Sequence, residues 1–161
     1  MKYQTMTVAV VLFAAGVSFA QSKESGSKCM NEKVSALASQ YRELRERRQH
    51  LPKDKFDQEL DDDRGRFHDV LYSLGVELGR SPYSKQNVIE CLGEPDAIKK
   101  SREMGDYLSI YRRELGKADR KLEEKPGREY LIYFWRGWHD FLFLIAEDGM
   151  MVDHGWWFAY E

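Results

Sequence analysis

The sequence predicts an α+β protein in which an N-terminal αα-hairpin and short helices pack on a three-stranded antiparallel sheet. Two observations support this prediction. Apolar residues recur at helical spacing between positions 30 and 78, whereas aromatic and β-branched residues concentrate between positions 129 and 158. The second region contains all four tryptophans: Trp135, Trp138, Trp156 and Trp157. Because aromatic side chains bury the largest areas, this region must supply much of the core or an exposed binding face.

Residues 1–20 are expected to form a cleaved signal peptide. Lys2 precedes an apolar run from Val8 to Val17, and Ser18-Phe19-Ala20 provides the small residues of a cleavage site. The run is shorter than the roughly 20 residues that span a bilayer, so no transmembrane anchor is expected. Gln21 follows the cleavage site, where a lipid anchor would require cysteine. We therefore expect an exported protein that is periplasmic or secreted.

The mature chain is expected to be mildly acidic. Cleavage removes one lysine and no carboxylate, so the formal charge moves from −2 to −3. This balance argues against general nucleic-acid binding. Residues 21–28 are polar and small, which is typical of a flexible leader.

Residues 29–79 are predicted to form the αα-hairpin. The first helix ends before Pro52, and the second is predicted to run from Lys53 to Leu78. Arginines crowd the end of the first helix and carboxylates crowd the start of the second, so the two clusters are expected to pair across the turn. The first helix carries a heptad stripe, which favours homodimerisation as one hypothesis. The stripe comprises Met30, Val34, Leu37, Tyr41, Leu44, Arg48 and Leu51.

Residues 84–161 are predicted to form a small α+β domain. Ser84 is expected to cap a short helix, Lys85–Leu92, which Gly93 ends. A charged insertion at 99–128 follows, with a helix predicted over 107–115. The three strands are predicted at 129–135, 141–146 and 150–158.

Asp148-Gly149 predicts a two-residue turn between the last two strands. That turn places Phe143 opposite His154 and Phe141 opposite Trp156. The resulting face is expected to meet the short helix. The other face is also apolar, so it requires a cover, either the αα-hairpin or an external protein. Its members are Leu142, Leu144, Ala146, Met151, Asp153, Gly155 and Trp157.

Segment 84–157 combines a capped helix, the turn Leu92-Gly93-Glu94-Pro95-Asp96, the strand Tyr133-Phe134-Trp135 and the Asp148-Gly149 turn. In these features it resembles the SmpA/OmlA (BamE-like) family of outer-membrane-assembly proteins, whose fold is shared with β-lactamase inhibitor proteins. The resemblance implies non-catalytic protein binding in the cell envelope, with another envelope protein as partner. The chain departs from the family in lacking a lipid-attachment cysteine and in carrying the αα-hairpin and the charged insertion.

The residues expected to contact that partner are Trp138, Trp157 and Met151. No catalytic residue, metal or cofactor is assigned. An alternative hypothesis is a small metal-dependent hydrolase that uses His139, Asp140, Asp153 and His154. The predicted register opposes it, because it separates the two histidines by about 13 Å along the strands.

Two cysteines, Cys29 and Cys91, lie in the expected mature chain. In an exported protein they are candidates for one disulfide. The alternative is two separate thiols, one of them buried.

Overall fold

The computed structural model describes residues 31–52, 54–79, 82–105, 107 and 125–159. The expected signal peptide and leader lie outside these residues, as do Cys29 and nearly all of the helix predicted over 107–115.

Three of the four α-helices in the described residues begin at a side chain that accepts a hydrogen bond from an amide of the first turn. The four helices are α1 (Glu32–His50), α2 (Gln58–Asp61), α3 (Arg66–Leu78) and α4 (Lys85–Leu92). The Asn31 side chain accepts a hydrogen bond of 2.8 Å from the Val34 amide at the start of α1. Ser84 caps α4 in a reciprocal arrangement with Asn87, and Gly93 ends it at a φ of 87°. The bounds predicted for this last helix are confirmed.

The prediction of one continuous helix from Lys53 to Leu78 is wrong. Residues between α2 and α3 leave the helical conformation, and Gly65 has extended backbone angles of −76° and 156°. A Cβ atom at Gly65 would lie 2.6–2.9 Å from three backbone carbonyl oxygens. The helical spacing of apolar residues continues across this break, because Leu60 before it and Phe67 after it are both buried. Periodicity alone therefore concealed the interruption.

Within the described part of the chain the sheet has four antiparallel strands, so the prediction of three is wrong. Their order is β1 (Ala97–Lys100), β2 (Arg128–Phe134), β3 (Asp140–Glu147) and β4 (Met150–Phe158). Strand β1 pairs with β2, with Ala97 opposite Ile132 and Lys100 opposite Glu129. It is a short, charged edge strand, which lacks the apolar alternation that signals a strand in sequence. A 3-10 helix, Ser101–Met104, follows it directly.

A β-bulge shifts the predicted register of the last hairpin by one residue. Met150 pairs with Glu147 as expected, but Asp153 pairs with Ile145, which leaves Val152 as the extra residue. Trp156 consequently lies opposite Leu142, and Trp157 lies opposite Phe141. The predicted Phe143–His154 and Phe141–Trp156 pairs are therefore wrong.

One core lies between the helices and the face of the sheet that carries Leu131, Leu142 and Leu144. Helices α1, α3 and α4 all contribute to it, so the short helix shares the side of the αα-hairpin instead of covering the opposite face. Three residues of the heptad stripe, Val34, Tyr41 and Leu44, are buried in this core, and Leu37 and Leu51 are partly buried against it. Homodimerisation through the stripe stays a prediction.

A second core lies on the opposite face of the sheet. Its buried members are Met104, Tyr130, Ile132, Phe141, Phe143 and Ile145. Tyr107, Phe134 and Trp157 pack against them while remaining partly exposed. The bulge decides this arrangement, because it places Trp157 on this face and Trp156 on the helix side.

Candidate functional site

Two of the three predicted partner-binding residues come together on the second face of the sheet. The Tyr107 ring centroid lies 6.0 Å from that of Trp138 and 5.2 Å from that of Trp157. Phe134 packs edge-on against Trp138 at 4.8 Å. We call these four residues, Phe134, Trp138, Trp157 and Tyr107, the aromatic surface.

Trp138 is the most exposed tryptophan of the aromatic surface. Its side chain belongs to the loop between β2 and β3, where Gly137 turns the chain with a φ of 65°. It is 44% exposed even though its ring centroid lies 5.8 Å from that of the buried Phe141. The Lys99 ammonium lies 5.8 Å from the centre of the Trp138 ring, within the range of a cation–π contact.

Met151, the third predicted residue, lies elsewhere. It is only 5% exposed and belongs to the helix-facing core. Its backbone amide donates to the carbonyl of Tyr83, which covers this end of β4. Met151 is therefore not part of the aromatic surface.

A groove of about 590 Å³ adjoins the aromatic surface at Phe134, which lines both. We call it the arginine groove. It lies between the end of α1, the α2 segment and the loop between β2 and β3. Its charged lining residues are Arg45, Arg48, Arg136, Asp61 and Asp96. Phe56, which is 68% exposed, stands at its edge.

Asp96 connects the groove to the aromatic surface. One of its carboxylate oxygens accepts a hydrogen bond of 2.7 Å from Arg45, and the other accepts one of 2.8 Å from the Phe134 amide. Arg45 also donates to the carbonyl of Glu94 at 2.8 Å. The Asp96 carboxylate thus orients the Arg45 guanidinium and also holds the backbone of Phe134.

Arg136 is held in three ways. Its guanidinium stacks on the Trp135 ring at 3.9 Å and donates to the carbonyl oxygen of Asp61. It also lies 3.4 Å from the buried Asp140 carboxylate. Arg48 pairs with the Asp61 side chain at 2.7 Å. The cations of the groove are therefore preorganised rather than free to rotate.

Two buried phenols lie beneath this region. Burial raises the pKa of Tyr41 and that of Tyr133 well above the usual range of tyrosine. Both side chains therefore stay neutral at physiological pH. Their rings meet edge to face at 5.9 Å, and the Arg45 guanidinium lies 5.8 Å from the Tyr41 ring centre. They form an apolar base for the arginine.

The four residues of the hydrolase hypothesis are distributed over two locations. His139 is exposed in the loop, and Asp140 begins β3 opposite Phe158. Asp153 and His154 are consecutive on β4, so their side chains leave opposite faces. Phe158 lies four positions after His154, which corresponds to about 13 Å along the strand. Within the described ranges, no three His, Cys, Asp or Glu side chains are grouped closely enough to hold a metal ion.

The predicted pairing of charges across the αα turn is seen for part of the set. Arg47 pairs with Asp57 at 2.5 Å and with Glu59. Arg42 instead donates to the carbonyl of Cys91, and Arg45 reaches Asp96. Sequence reasoning missed the latter contact because it joins residues 51 positions apart.

Cys91 is buried in α4 within the helix-facing core. Cys29 lies outside the described residues, so the disulfide between them stays a prediction.

Sequence reasoning also overlooked Arg136 and Phe56. The signal available for Arg136 was its place between Trp135 and Trp138 in a glycine-containing loop. Phe56 lies within the continuous helix predicted from Lys53 to Leu78, but the segment before α2 is not helical and leaves Phe56 exposed.

Comparisons with family models, curated proteins and solved structures find no match to this chain. Among the described residues, none of the helices has the length and apolar character needed to cross a membrane.

Proposed function

We propose that this chain is an exported, non-catalytic protein-binding module of the cell envelope, of the SmpA/OmlA-like kind. The observation that carries the proposal is the half-exposed Trp138, which is supported by other aromatic rings and adjoins a groove lined by three arginines. Tryptophan, tyrosine and arginine dominate the residues that contribute most to protein–protein affinity.

The chemistry of the site favours one kind of partner segment. Three guanidinium groups line the arginine groove against two carboxylates, and Lys99 adds a further cation beside Trp138. The aromatic surface and Phe56 provide apolar area on either side. The proposed partner is therefore another envelope protein that presents an apolar side chain flanked by a carboxylate.

Preorganisation supports this role. The carboxylate of Asp96 orients Arg45, while Trp135 and the Asp61 carbonyl hold Arg136. Side chains that are already ordered lose little rotamer entropy when a partner binds. The site thus has the rigidity expected of an interface.

Site-specific photo-cross-linking tests the proposal. A photoreactive amino acid replaces His139, next to the aromatic surface, or Tyr72, an exposed aromatic residue of α3 used as control. We expect a discrete adduct with an envelope protein from position 139 and none from position 72. Trp138→Ala should weaken formation of the adduct about thirty-fold, as for an interface hot spot.

The charge of the partner is tested separately with Arg136→Glu, which should weaken the same adduct, whereas Arg66→Glu on α3 should not. An adduct that survives Trp138→Ala at full yield would contradict the assignment of the site. Mass spectrometry of the processed chain checks export, because cleavage after Ala20 leaves Gln21 as the N-terminus.

A further inference from the structure

We infer that the chain has a second ligand site, for a small oxyanion, in a depression at the end of the sheet bounded by the β3–β4 turn. The depression, of about 690 Å³, lies between the start of the 3-10 helix, the turn before β2 and the Asp148-Gly149 turn. Its functional side chains are Lys100, Ser101, Arg102, Lys125 and Arg128. We call it the basic depression. The aromatic surface and the arginine groove share none of these residues.

The charge of the basic depression is positive. Four cations line it: Lys100, Arg102, Lys125 and Arg128. The lining residue Glu129 already pairs with Lys85 at 2.7 Å. Two other carboxylates, those of Asp148 and Glu147, remain to neutralise the four cations, so the depression carries an excess of positive charge.

Glu147 fixes two of these cations. Its carboxylate accepts hydrogen bonds from Arg128 at 2.5 Å and 2.9 Å and from Lys125 at 2.5 Å. One negative charge therefore lies between two positive ones, which leaves a local excess of one cation. Arg128 is only 7% exposed, so this charge is presented from a largely desolvated position.

Ser101 provides the independent observation that points to a ligand. It lines the basic depression and is only 7% exposed. Its hydroxyl oxygen is buried and has no hydrogen-bond partner among the described residues. Native proteins rarely leave a buried hydroxyl unsatisfied. Rotation of the Ser101 side chain about χ1 would turn this hydroxyl toward the depression, where an anionic oxygen would accept the hydrogen bond that it donates.

The donor set selects the ligand class. Two guanidinium groups, two ammonium groups and a hydroxyl are hydrogen-bond donors, and together they match the oxygens of a phosphate group. Such a group has two sources, free inorganic phosphate and the headgroup of an anionic phospholipid. The chemistry of recognition is the same for both, so the experiment must separate them.

Titration of the isotope-labelled full chain with inorganic phosphate, at constant ionic strength, tests the site by NMR. We expect saturable shifts of the Ser101 and Arg128 amides, whereas equivalent additions of chloride should leave them unchanged. Ser101→Ala should weaken binding about five-fold. The double substitution Lys100→Gln and Arg102→Gln should weaken it at least ten-fold. Lys33→Gln on α1, which removes one positive charge outside the depression, serves as the control and should bind as the wild type does.

A second measurement distinguishes the sources of phosphate. If the wild type sediments with phosphatidylglycerol vesicles and the double variant does not, the ligand is a lipid headgroup. Phosphatidylcholine vesicles, which should bind neither protein, are the control. Saturable phosphate binding without vesicle binding would identify the free anion. The inference would be overturned if the chain bound neither phosphate nor vesicles, or if the wild type and the double variant bound equally well. Trp138→Ala should leave phosphate binding unchanged, so this test and that of the proposed function fail independently.

Discussion

The indole nitrogen of Trp135 donates a buried hydrogen bond of 2.7 Å to the carbonyl oxygen of Leu60, 75 residues earlier in the chain. Helix α2 has only four residues, so its last carbonyl groups have no partners within the helix. Trp135 satisfies the carbonyl of Leu60, and Arg136 satisfies that of Asp61. The interruption of the predicted helix therefore creates the acceptors that hold the loop of the candidate site in place.

Replacing Trp135 with phenylalanine tests this connection. The substitution keeps an aromatic ring but leaves the Leu60 carbonyl buried without a donor. We expect the free energy of unfolding to fall by about 1–3 kcal/mol. Denaturant unfolding measures the change. Trp138→Phe, at an exposed position, is the matched control and should change stability by less than about 0.5 kcal/mol. Equal losses in the two variants would contradict the assigned role of the hydrogen bond.

Gly65→Ala should destabilise the break between α2 and α3. The added methyl group would lie 2.6–2.9 Å from the carbonyl oxygens of Gln58, Glu59 and Asp62, and backbone atoms cannot move aside cheaply. We expect a loss of about 1–3 kcal/mol, measured by thermal unfolding. Gly105→Ala is the control, because its Cβ would meet nothing within 4 Å and its φ of −52° suits alanine. A continuous helix would reverse the prediction, since alanine would then stabilise position 65.

Gly155 and Phe143 should be energetically coupled across the last hairpin. They pair directly, and a Cβ at Gly155 would lie 2.4–3.2 Å from three atoms of the Phe143 ring. Gly155→Ala should cost about 1–3 kcal/mol in the wild type. It should cost less in a Phe143→Leu background, since the shorter side chain relieves the overlap. If the effects of the two substitutions were simply additive, the observed pairing of Gly155 with Phe143 would be contradicted. The register without a bulge places His154, not Gly155, opposite Phe143.

Stability should fall in acid partly through Glu147. Hydrogen bonds from Lys125 and Arg128 hold the pKa of its carboxyl below the usual value near 4.5. The unfolded chain therefore takes up this proton first, and the stabilisation is lost as the pH falls through the folded-state pKa. Glu147→Gln should be less stable than the wild type at about pH 7 and should lose less stability between about pH 5 and pH 3.

A residual slope is expected in that variant. Hydrogen bonding to Arg47 also lowers the pKa of Asp57, so its titration contributes in the same direction. Asp57→Asn in the Glu147→Gln background should flatten the curve further. An unchanged pH dependence in Glu147→Gln would show that its ion pairs do not persist in solution.

Local sequence signals were sufficient for several elements. Helix α4 was predicted with its observed bounds because its capping serine and terminal glycine lie within a few residues of it. Strand β4 and the Asp148-Gly149 turn were likewise predicted from neighbouring residues. Trp138 and Trp157 were selected from the same aromatic segment, and the structure brings both against Tyr107.

Other features depended on contacts between distant residues. The bulge at Val152 has no marker in the local pattern, yet it decides which of two adjacent tryptophans joins the helix-facing core. Strand β1 forms because β2 provides its hydrogen-bonding partners, and the helix break is supported by carbonyl acceptors that Trp135 and Arg136 satisfy. Periodicity records which residues are buried, whereas register, helix interruption and the arginine groove arise only when segments up to 75 residues apart meet.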